Sequence, residues 1–449
     1  MIPQPNRFGS GLARAQAVEP ALPKLVPGHG DPIQRMALYL GLGLIFIQFT
    51  VLPQLTAYIF HTNLYLLYLV GVPAIVAMVL NGGIAKSFRA RPAYYWTGFG
   101  CWMAVATPFS SWRGGSALFC FGYWRTALIV LFITGGMLLE WSDVKKAINV
   151  IAAAAIVNLV SARLLRDVTE ERFGMSFGTI GNPNDYAAHL LLVLPFLLWM
   201  GLSGKLWRRL VALPCLGYGL YLILATASRG ALVALGFDVL AIAILGTGRQ
   251  KAALALLGPI AALVLVAVVP VKSWQHLATV WSHVADSAEA AKAIESAQAR
   301  EYTLETSLRY TLEHPLFGVG PQQFAAYEGG HERVIGTHGL WHDTHNSFTQ
   351  AASECGIPGF LFFTCGTAST FLLLFKTFRQ ARRRSDCQDI RVAVFCILLG
   401  MIGFCVAITF LSFAYFFYLP AMAGLAIGVW SAVQREFQVR DGALQAGAA

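Results

Sequence analysis

Long apolar runs recur along the 449 residues of this chain and limit the folds that it can adopt. Runs of about 18 or more apolar residues are long enough to cross a hydrocarbon core of roughly 30 Å. Hydrophobic residues make up 56% of the chain and charged residues only 12%, a composition that soluble domains rarely reach. Because backbone polar groups in lipid must be satisfied within each segment, we predict an all-α integral membrane protein.

The apolar runs predict about 12 transmembrane helices. The spans lie at 35–54, 63–81, 93–109, 117–139, 146–162, 185–201, 210–227, 229–247, 253–271, 356–377, 391–411 and 413–433. They divide the chain into a cytoplasmic N-terminal tail (1–34), transmembrane helices 1–9 (35–271), a periplasmic loop (272–355), transmembrane helices 10–12 (356–433) and a cytoplasmic tail (434–449). We find no convincing internal repeat, which argues against a transporter built from inverted halves.

The formal net charge of +10 is carried mainly by short basic clusters between the apolar runs. Basic residues follow every even-numbered span, as in Lys86 and Arg89 after the second and Lys145 and Lys146 after the fourth. The positive-inside rule then predicts cytoplasmic termini and a periplasmic loop between helices 9 and 10. This placement of charge argues against nucleic acid as a partner.

The N-terminal tail and the cysteines give two further expectations. The tail is polar and no small-residue cleavage site follows the first apolar run, so we expect no cleavable signal peptide. Most of the eight cysteines lie inside apolar runs, and their spacing indicates neither a disulfide framework nor a zinc site. We expect them to pack as small hydrophobic residues.

The loop at 272–355 is the one sizeable extramembrane region, and loops of this length are usually functional or partly folded. Residues 287–313 contain neither Gly nor Pro and predict a helix. Pro315 should end that helix, and Gly318 and Gly320 should open a turn. The loop is net acidic although the chain is net basic. Its few arginines are therefore selected positions and not part of a general basic background.

Histidines are concentrated in the same loop. His338, His342 and His345, with Asp343 beside them, could hold a metal ion, but the segment is short and contains a glycine, so helical ligand geometry is not assured. A single histidine acting as general base fits the polar stretch better, because imidazole exchanges protons near neutral pH. A solvated loop residue is the plainer alternative for any one of them.

Arginines are the candidate anion-binding groups. Arg229 opens the eighth span, where a charge is costly unless it faces a cavity or a partner; snorkelling to the interface is the alternative. Arg300 and Arg309 lie about 180° apart on the predicted loop helix, so both cannot face one site. Arg309 has acidic residues at four-residue spacing and Arg300 has none, which leaves Arg300 freer to meet an anion.

Other ionisable residues lie at the edges of spans or inside them. Asp185 and His189 share one helix face and could form a structural pair or, less favourably, a proton relay. Asp238 and Arg125 are expected to face the bundle interior, with each other as candidate partners. In the outer segment 163–184, Arg166 and its neighbouring arginines could recruit an anionic lipid, although a structural role is slightly favoured.

Four sequence blocks resemble those of O-antigen ligases and related O-oligosaccharyltransferases. The blocks are TIGNPNDYA at 179–187, TASRG at 226–230, EHPLFGVG at 313–320, and His345-Asn346 followed after nine residues by Gly356-x-x-Gly359. They stand in the order typical of the superfamily, whereas the first 150 residues match only in hydropathy. The blocks indicate the superfamily more strongly than they distinguish a ligase from its polymerase relatives.

The resemblance implies a GT-C-like membrane fold with a large, mainly helical periplasmic loop between helices 9 and 10. It also implies an essential histidine, which maps to His345, and two essential arginines, which map to Arg229 and Arg300. The aromatic residue that usually follows the second arginine is displaced here to Tyr302. We assign substrate binding to these arginines and to Asn346, Asn182, Asn184, His342 and Arg166.

The implied activity is that of an O-antigen ligase in the bacterial inner membrane with its active site facing the periplasm. It would transfer a glycan from undecaprenyl pyrophosphate to a sugar hydroxyl of lipid A core, with inversion and without a metal or cofactor. Membrane lipids are the other expected partners. Two alternatives stay open: a polysaccharide polymerase or protein O-oligosaccharyltransferase that uses the same donor, and a polysaccharide or lipid transporter.

Overall fold

The structure is a computed structural model, which describes residues 31–165, 173–174, 181–269, 274, 288–334 and 341–446. Every regular element within these ranges is helical, which confirms the all-α prediction for this part of the chain. The helices are α1 (Pro32–Phe49), α2 (Leu52–Phe60), α3 (Leu66–Leu80), α4 (Gly83–Ser87), α5 (Arg91–Ala106), α6 (Arg113–Tyr123), α7 (Ile129–Met137), α8 (Trp141–Leu164), α9 (Pro183–Ser203), α10 (Leu206–Ala225), α11 (Arg229–Leu245), α12 (Gly248–Val268), α13 (Ala288–Glu313), α14 (Phe324–Val334), α15 (Ser347–Arg382), α16 (Gln388–Ala407) and α17 (Tyr418–Ala446).

Eight helical segments within the described residues are long and apolar enough to cross a membrane, so the chain is a multi-pass membrane protein. They are Pro32–Phe49, Arg113–Met137, Trp141–Leu164, Pro183–Ser203, Leu206–Ala225, Gly248–Val268, Ser347–Arg382 and Ser385–Phe410. Three other predicted spans correspond to α3, α5 and α11, which have 15, 16 and 17 residues. These are shorter than the ~20 residues of a usual crossing. The count of 12 and the side on which the loop lies therefore stay predictions.

Helix α9 lies at the centre of the bundle, and α12 lies at its edge. Buried residues make up 83% of the apolar window of α9 but 0% of that of α12. Close packing of α9 requires a small residue opposite it, since a Cβ on Gly400 of α16 would collide with the carbonyl of Leu192. An apolar helix with no buried residue is suited to contact lipid around its circumference.

The loop helix is confirmed where the sequence predicted it. Helix α13 ends at Glu313, directly before the predicted break at Pro315. Gly318 and Gly320 follow with φ of +67° and +113°, a left-handed backbone that glycine adopts without strain. Helix α13 packs against α15, so the loop helix is held on the bundle of apolar helices.

Helix α15 begins at Ser347, ahead of the predicted start of span ten at 356, and is interrupted at Gly356. Gly356 has φ 68° and ψ −176°, a conformation that is essentially restricted to glycine. A Cβ at this position would collide with the carbonyl of Leu316. The N–H of Ile357 instead donates to the carbonyl of Pro315 at 2.7 Å. The interruption therefore joins the extramembrane turn to the start of the long apolar helix.

The connection between α16 and α17 is longer than the predicted link at 411–413. It contains a 3₁₀ turn at Ile408–Phe410 and ends where α17 begins at Tyr418. The hydroxyl of Ser347 donates to the carbonyl of Leu411 at 2.7 Å and accepts from the N–H of Phe413 at 2.8 Å. The Ser347 side chain thus satisfies backbone groups of this connection. The connection can therefore be longer than a tight turn without leaving these groups unpaired.

Candidate active site

His345 lies in the segment directly before α15, in a backbone conformation that few non-glycine residues adopt. Its φ is +51°, and its N–H donates to the hydroxyl of Ser412 at 2.9 Å. The preceding carbonyl, that of Thr344, accepts from the hydroxyl of Thr303 on α13 at 3.4 Å. Contacts to the α16–α17 connection and to the loop helix therefore fix the backbone on which the imidazole stands.

The His345 imidazole is half-buried and makes no side-chain hydrogen bond within the described part of the chain. Burial, the charge of Arg300 and the charge of His342 lower its pKa to about 4, in that order of size. The ring centroid of His342 lies 6.1 Å away, and His342 itself is exposed. At neutral pH the His345 ring is therefore uncharged and can accept a proton.

Arg300 lies one helical turn from Thr303 on α13, and the Thr303 hydroxyl holds this part of the helix against the His345 segment. Its guanidinium has no hydrogen-bond or ion-pair partner among the residues that the structure describes, although it is only partly exposed. Burial, followed by the charge of Arg229, lowers the pKa of Arg300. Two neighbouring guanidinium groups repel one another, and an anion placed between them would relieve that repulsion.

Arg229 is the first residue of α11, and a side-chain cap fixes this helix terminus. The Ser228 hydroxyl accepts from the N–H of Ala231 at 3.4 Å. The TASRG block at 226–230 thus supplies the serine that caps the N-terminus of α11. Ser228, Gly230, Asn184 and Arg300 line one small cleft. The tertiary structure thus brings α9, α11 and α13 together at the guanidinium groups.

Arg309 differs from Arg300 in its surroundings, as the sequence spacing predicted. Its Nε lies 3.9 Å from a carboxylate oxygen of Glu313, and both side chains are about half exposed. The guanidinium also stacks over the ring of Tyr310 at 5.2 Å. Arg309 is therefore engaged locally, away from His345.

A cavity of about 440 Å³ lies beside the His345 segment. Its polar lining includes Gln48, Gln54, Gln322, Asp343 and Ser412, and its apolar lining includes the aromatic residues at 415–418, at the junction of the α16–α17 connection with α17. Burial raises the pKa of Asp343, and the neighbouring His342 lowers it. The cavity is within the usual ~300–1,000 Å³ of small-molecule sites, and amides with aromatic rings are suited to bind sugars.

The predicted asparagines have structural partners as well as positions near the site. The side-chain oxygen of Asn346 caps α15 by accepting from the N–H groups of Phe348 at 2.9 Å and Thr349 at 3.2 Å. Asn182 caps α9 by accepting from the N–H of Asn184 at 2.9 Å. Substrate binding by these side chains stays a prediction. Arg166 lies outside the described residues, as does His338 of the alternative metal site.

The predicted pair of Asp185 and His189 is wrong. His189 is buried, and its two ring nitrogens lie 2.7 Å from the amide nitrogen of Asn158 and 3.1 Å from the hydroxyl of Tyr418. A buried ring that is satisfied by neutral groups on two other helices has no need of the carboxylate one turn away.

The prediction that Arg125 and Asp238 face the interior is correct for one residue only. Asp238 is 5% exposed and packs beside Gly403. Arg125 is exposed and donates to the hydroxyl of Tyr68 at 2.7 Å. The prediction rested on the cost of a charge within a span, but the Tyr68 hydroxyl on α3 gives Arg125 a polar partner outside the bundle interior.

Two site-supporting residues were not identified from the sequence. Ser412 lies 67 positions from His345 and has no local signal. Glu354 is buried, and its carboxylate accepts from the N–H groups of Gln322 at 2.9 Å and Phe324 at 3.1 Å. An acidic residue at the edge of an apolar run, directly before Cys355 and Gly356, was the available signal for that role.

Residues 214–364 match the model of a protein family described as O-antigen ligase. The matched region runs from α10 into α15 and contains Arg229, Arg300 and His345. It confirms the resemblance that the sequence blocks indicated and supports a glycan-transferring membrane enzyme of the O-antigen ligase or polymerase kind. No curated protein matches the chain.

Proposed function

We propose that this chain, whose residues 214–364 match the model of the O-antigen ligase family, joins a glycan from undecaprenyl pyrophosphate to a sugar hydroxyl of lipid A core. The reaction would take place on the periplasmic side of a bacterial inner membrane. The observation that carries the proposal is the packing of α13 against both the start of α11 and the His345 segment: Arg300 lines a cleft with Ser228 and Gly230, and the Thr303 hydroxyl donates to the Thr344 carbonyl. One cationic pair and one base are the two elements that such a transfer needs.

The arginines would bind the pyrophosphate. Planar guanidinium groups can donate two parallel hydrogen bonds to phosphate oxygens. When the bond between the anomeric carbon and the pyrophosphate oxygen breaks, negative charge grows on that oxygen. Arg229 and Arg300 would stabilise this charge, which is largest in the transition state. Since the leaving group is already activated, no nucleotide is consumed.

His345 would act as the general base. The acceptor hydroxyl oxygen forms the new bond to the anomeric carbon while its proton passes to an imidazole nitrogen. Because the pKa of His345 is lowered to about 4, the ring is unprotonated at neutral pH before the acceptor binds. The lowered pKa also makes it a weak base, so proton transfer should accompany bond formation rather than precede it. Attack opposite the leaving group gives inversion.

The cavity beside His345 would hold sugar rings next to the base. Asp343 and Gln322 offer hydrogen-bonding groups, and Tyr415 offers an aromatic face. Ser412 lines the cavity and also accepts from the His345 backbone, so a sugar in this cavity would lie against the segment that carries the base.

A polymerase is the second candidate, because the family match supports ligase or polymerase activity alike. Both reactions need the same pyrophosphate clamp and base. They differ in the acceptor, which is a second lipid-linked glycan for the polymerase.

The test is reconstitution of the full chain with purified lipid-linked glycan and rough lipopolysaccharide. We expect glycan-bearing lipopolysaccharide from the wild type, with or without a chelator, and almost none from His345→Ala. His61→Ala is the matched control, since His61 has the same φ of +51° but is exposed at the end of α2. Transfer that survives His345→Ala would overturn the mechanism. A lengthened lipid-linked glycan with unmodified lipopolysaccharide would instead identify a polymerase.

A further inference from the structure

A basic cleft lies at the opposite end of the bundle from His345. It has a volume of about 410 Å³, and its cationic lining consists of Lys251, Arg382 and Arg391. The three residues come from α12, the end of α15 and the start of α16. Among the described residues, no carboxylate lines the cleft.

Two helices connect the candidate active site to this cleft. Helix α11 begins at Arg229 and ends at Leu245, which lines the cleft. Helix α16 ends at Ala407 beside Arg300, while Arg391 near its other end lines the basic cleft. At 1.5 Å per residue, the 16 positions between them correspond to about 24 Å. The cleft therefore lies a large part of a membrane thickness away from the transfer site.

The cations of the cleft are not neutralised by neighbouring side chains. Within the described residues, none of Lys251, Arg382 and Arg391 forms an ion pair, and the Nε of Arg391 is buried without a hydrogen-bond partner. The nearest acidic residues along the chain are engaged elsewhere: Asp386 with Arg384, and Asp389 with Arg440. Positive-inside statistics explain basic residues at this end, but not their convergence from three segments on one cleft.

We propose that this cleft binds a phosphate group, held by Lys251, Arg382 and Arg391. Arg391, with its Nε already out of water, would donate to the phosphate oxygens, and the two exposed cations would add charge from either side. The first turn of α12 also lines the cleft, and its backbone dipole favours an anion there.

The lining favours the head group of an anionic lipid over a soluble phosphate as the bound group. Leu245 and Val392, which are partly exposed, line the cleft and would contact acyl chains. Helix α12, which forms one wall, has no buried residue and so is open to lipid. Basic pockets between transmembrane helices are a known way of binding lipid head groups.

The experiment measures binding to the full chain in detergent, independently of glycan transfer. Phosphatidylglycerol, phosphatidylcholine and inorganic phosphate are added separately at constant ionic strength, and the rise in melting temperature is followed. We expect a saturable rise with phosphatidylglycerol and none with phosphatidylcholine. A comparable rise with inorganic phosphate would assign the cleft to a soluble phosphate instead of a lipid.

The variants are Arg391→Gln and Lys251→Gln, with Arg379→Gln as control because Arg379 is exposed on α15 outside the cleft. Loss of one cation should raise the half-saturating concentration about fivefold, whereas Arg379→Gln should leave it unchanged. Lys251→Gln keeps the test valid if the partly buried Arg391 position proves necessary for folding. No response of the wild type to either anion, or equal weakening in Arg379→Gln, would overturn the proposal.

Discussion

The backbone N–H of His345 donates to the hydroxyl of Ser412 over 2.9 Å, although the two residues are 67 positions apart. Ser412 belongs to the connection between α16 and α17, and its hydrogen bond helps to hold His345 at a φ of +51°. The position of the proposed base thus depends on a residue with no chemical role of its own. Ser412 is a positioning residue in this interpretation.

Replacing Ser412 by alanine should therefore slow transfer without removing it. A net hydrogen-bond contribution of about 1 kcal/mol corresponds to roughly a fivefold fall in kcat, with KM for the donor little changed. Steady-state transfer kinetics measure this split. Ser369→Ala is the control, since within the described part of the chain the Ser369 hydroxyl bonds only inside its own helix, to the carbonyl of Gly366. Equal effects of the two substitutions would exclude a positioning role.

The two arginines on the loop helix should differ sharply in their effect on transfer. Arg300→Ala removes a proposed donor to the pyrophosphate and should lower kcat/KM by about 100-fold or more. Arg309→Ala removes a half-exposed pair with Glu313 and should retain most of the activity. Arg300→Lys should recover only part of the loss, because an ammonium group lacks the bidentate geometry. The opposite ranking of Arg300 and Arg309 would refute the assignment.

Acidification should stop transfer only at low pH, because the pKa of His345 is lowered to about 4. Protonation removes the lone pair that accepts the acceptor proton, so kcat/KM should fall about tenfold per pH unit below that pKa and be flat above it. His342→Ala removes one positive neighbour and should move the acid limb to higher pH. A pH–rate profile of the two proteins checks both statements. An acid limb near the ordinary histidine pKa would contradict the buried, neutral base.

Gly356 should tolerate no side chain, because its φ and ψ are essentially restricted to glycine and a Cβ would collide with Leu316. Gly356→Ala should cost at least about 1–3 kcal/mol of stability, seen as a lower melting temperature. Gly236→Ala is the matched control, since a Cβ at this helical position meets nothing within 4 Å. Equal melting temperatures for the two variants would show that the interruption of α15 can relax.

Two substitutions of Asn346 distinguish a structural role of this residue from a substrate-binding role. Asn346→Ala should cost about 1 kcal/mol through loss of the α15 cap, whereas Asn346→Asp keeps a capping oxygen and should retain stability. If the amide nitrogen also binds substrate, Asn346→Asp should lower transfer while leaving the melting temperature unchanged. Melting and transfer measured on the same preparations distinguish the two roles. Full activity of Asn346→Asp would restrict Asn346 to capping.

The extent to which the sequence predicted this site differs between residues. Arg300 was separated from Arg309 by the spacing of acidic partners along one helix, a local property that the structure retains as the Arg309–Glu313 pair. Asp185 and His189 also share a helix face, yet His189 bonds to Asn158 and Tyr418 instead. Spacing on one helix limits which side chains can meet, but burial against other helices decides which of them do.

The sequence by itself determined the all-helical membrane class, the loop helix ending before Pro315, and the residue types of the candidate site. These follow from apolar run length, from helix-breaking residues and from motif spacing, which are properties of adjacent residues. Only the tertiary structure decided that Ser412 supports His345, that Arg300 meets Arg229, and that Lys251, Arg382 and Arg391 share a cleft. Each of these relationships joins segments from different helices, and helix packing has no signature in the local sequence.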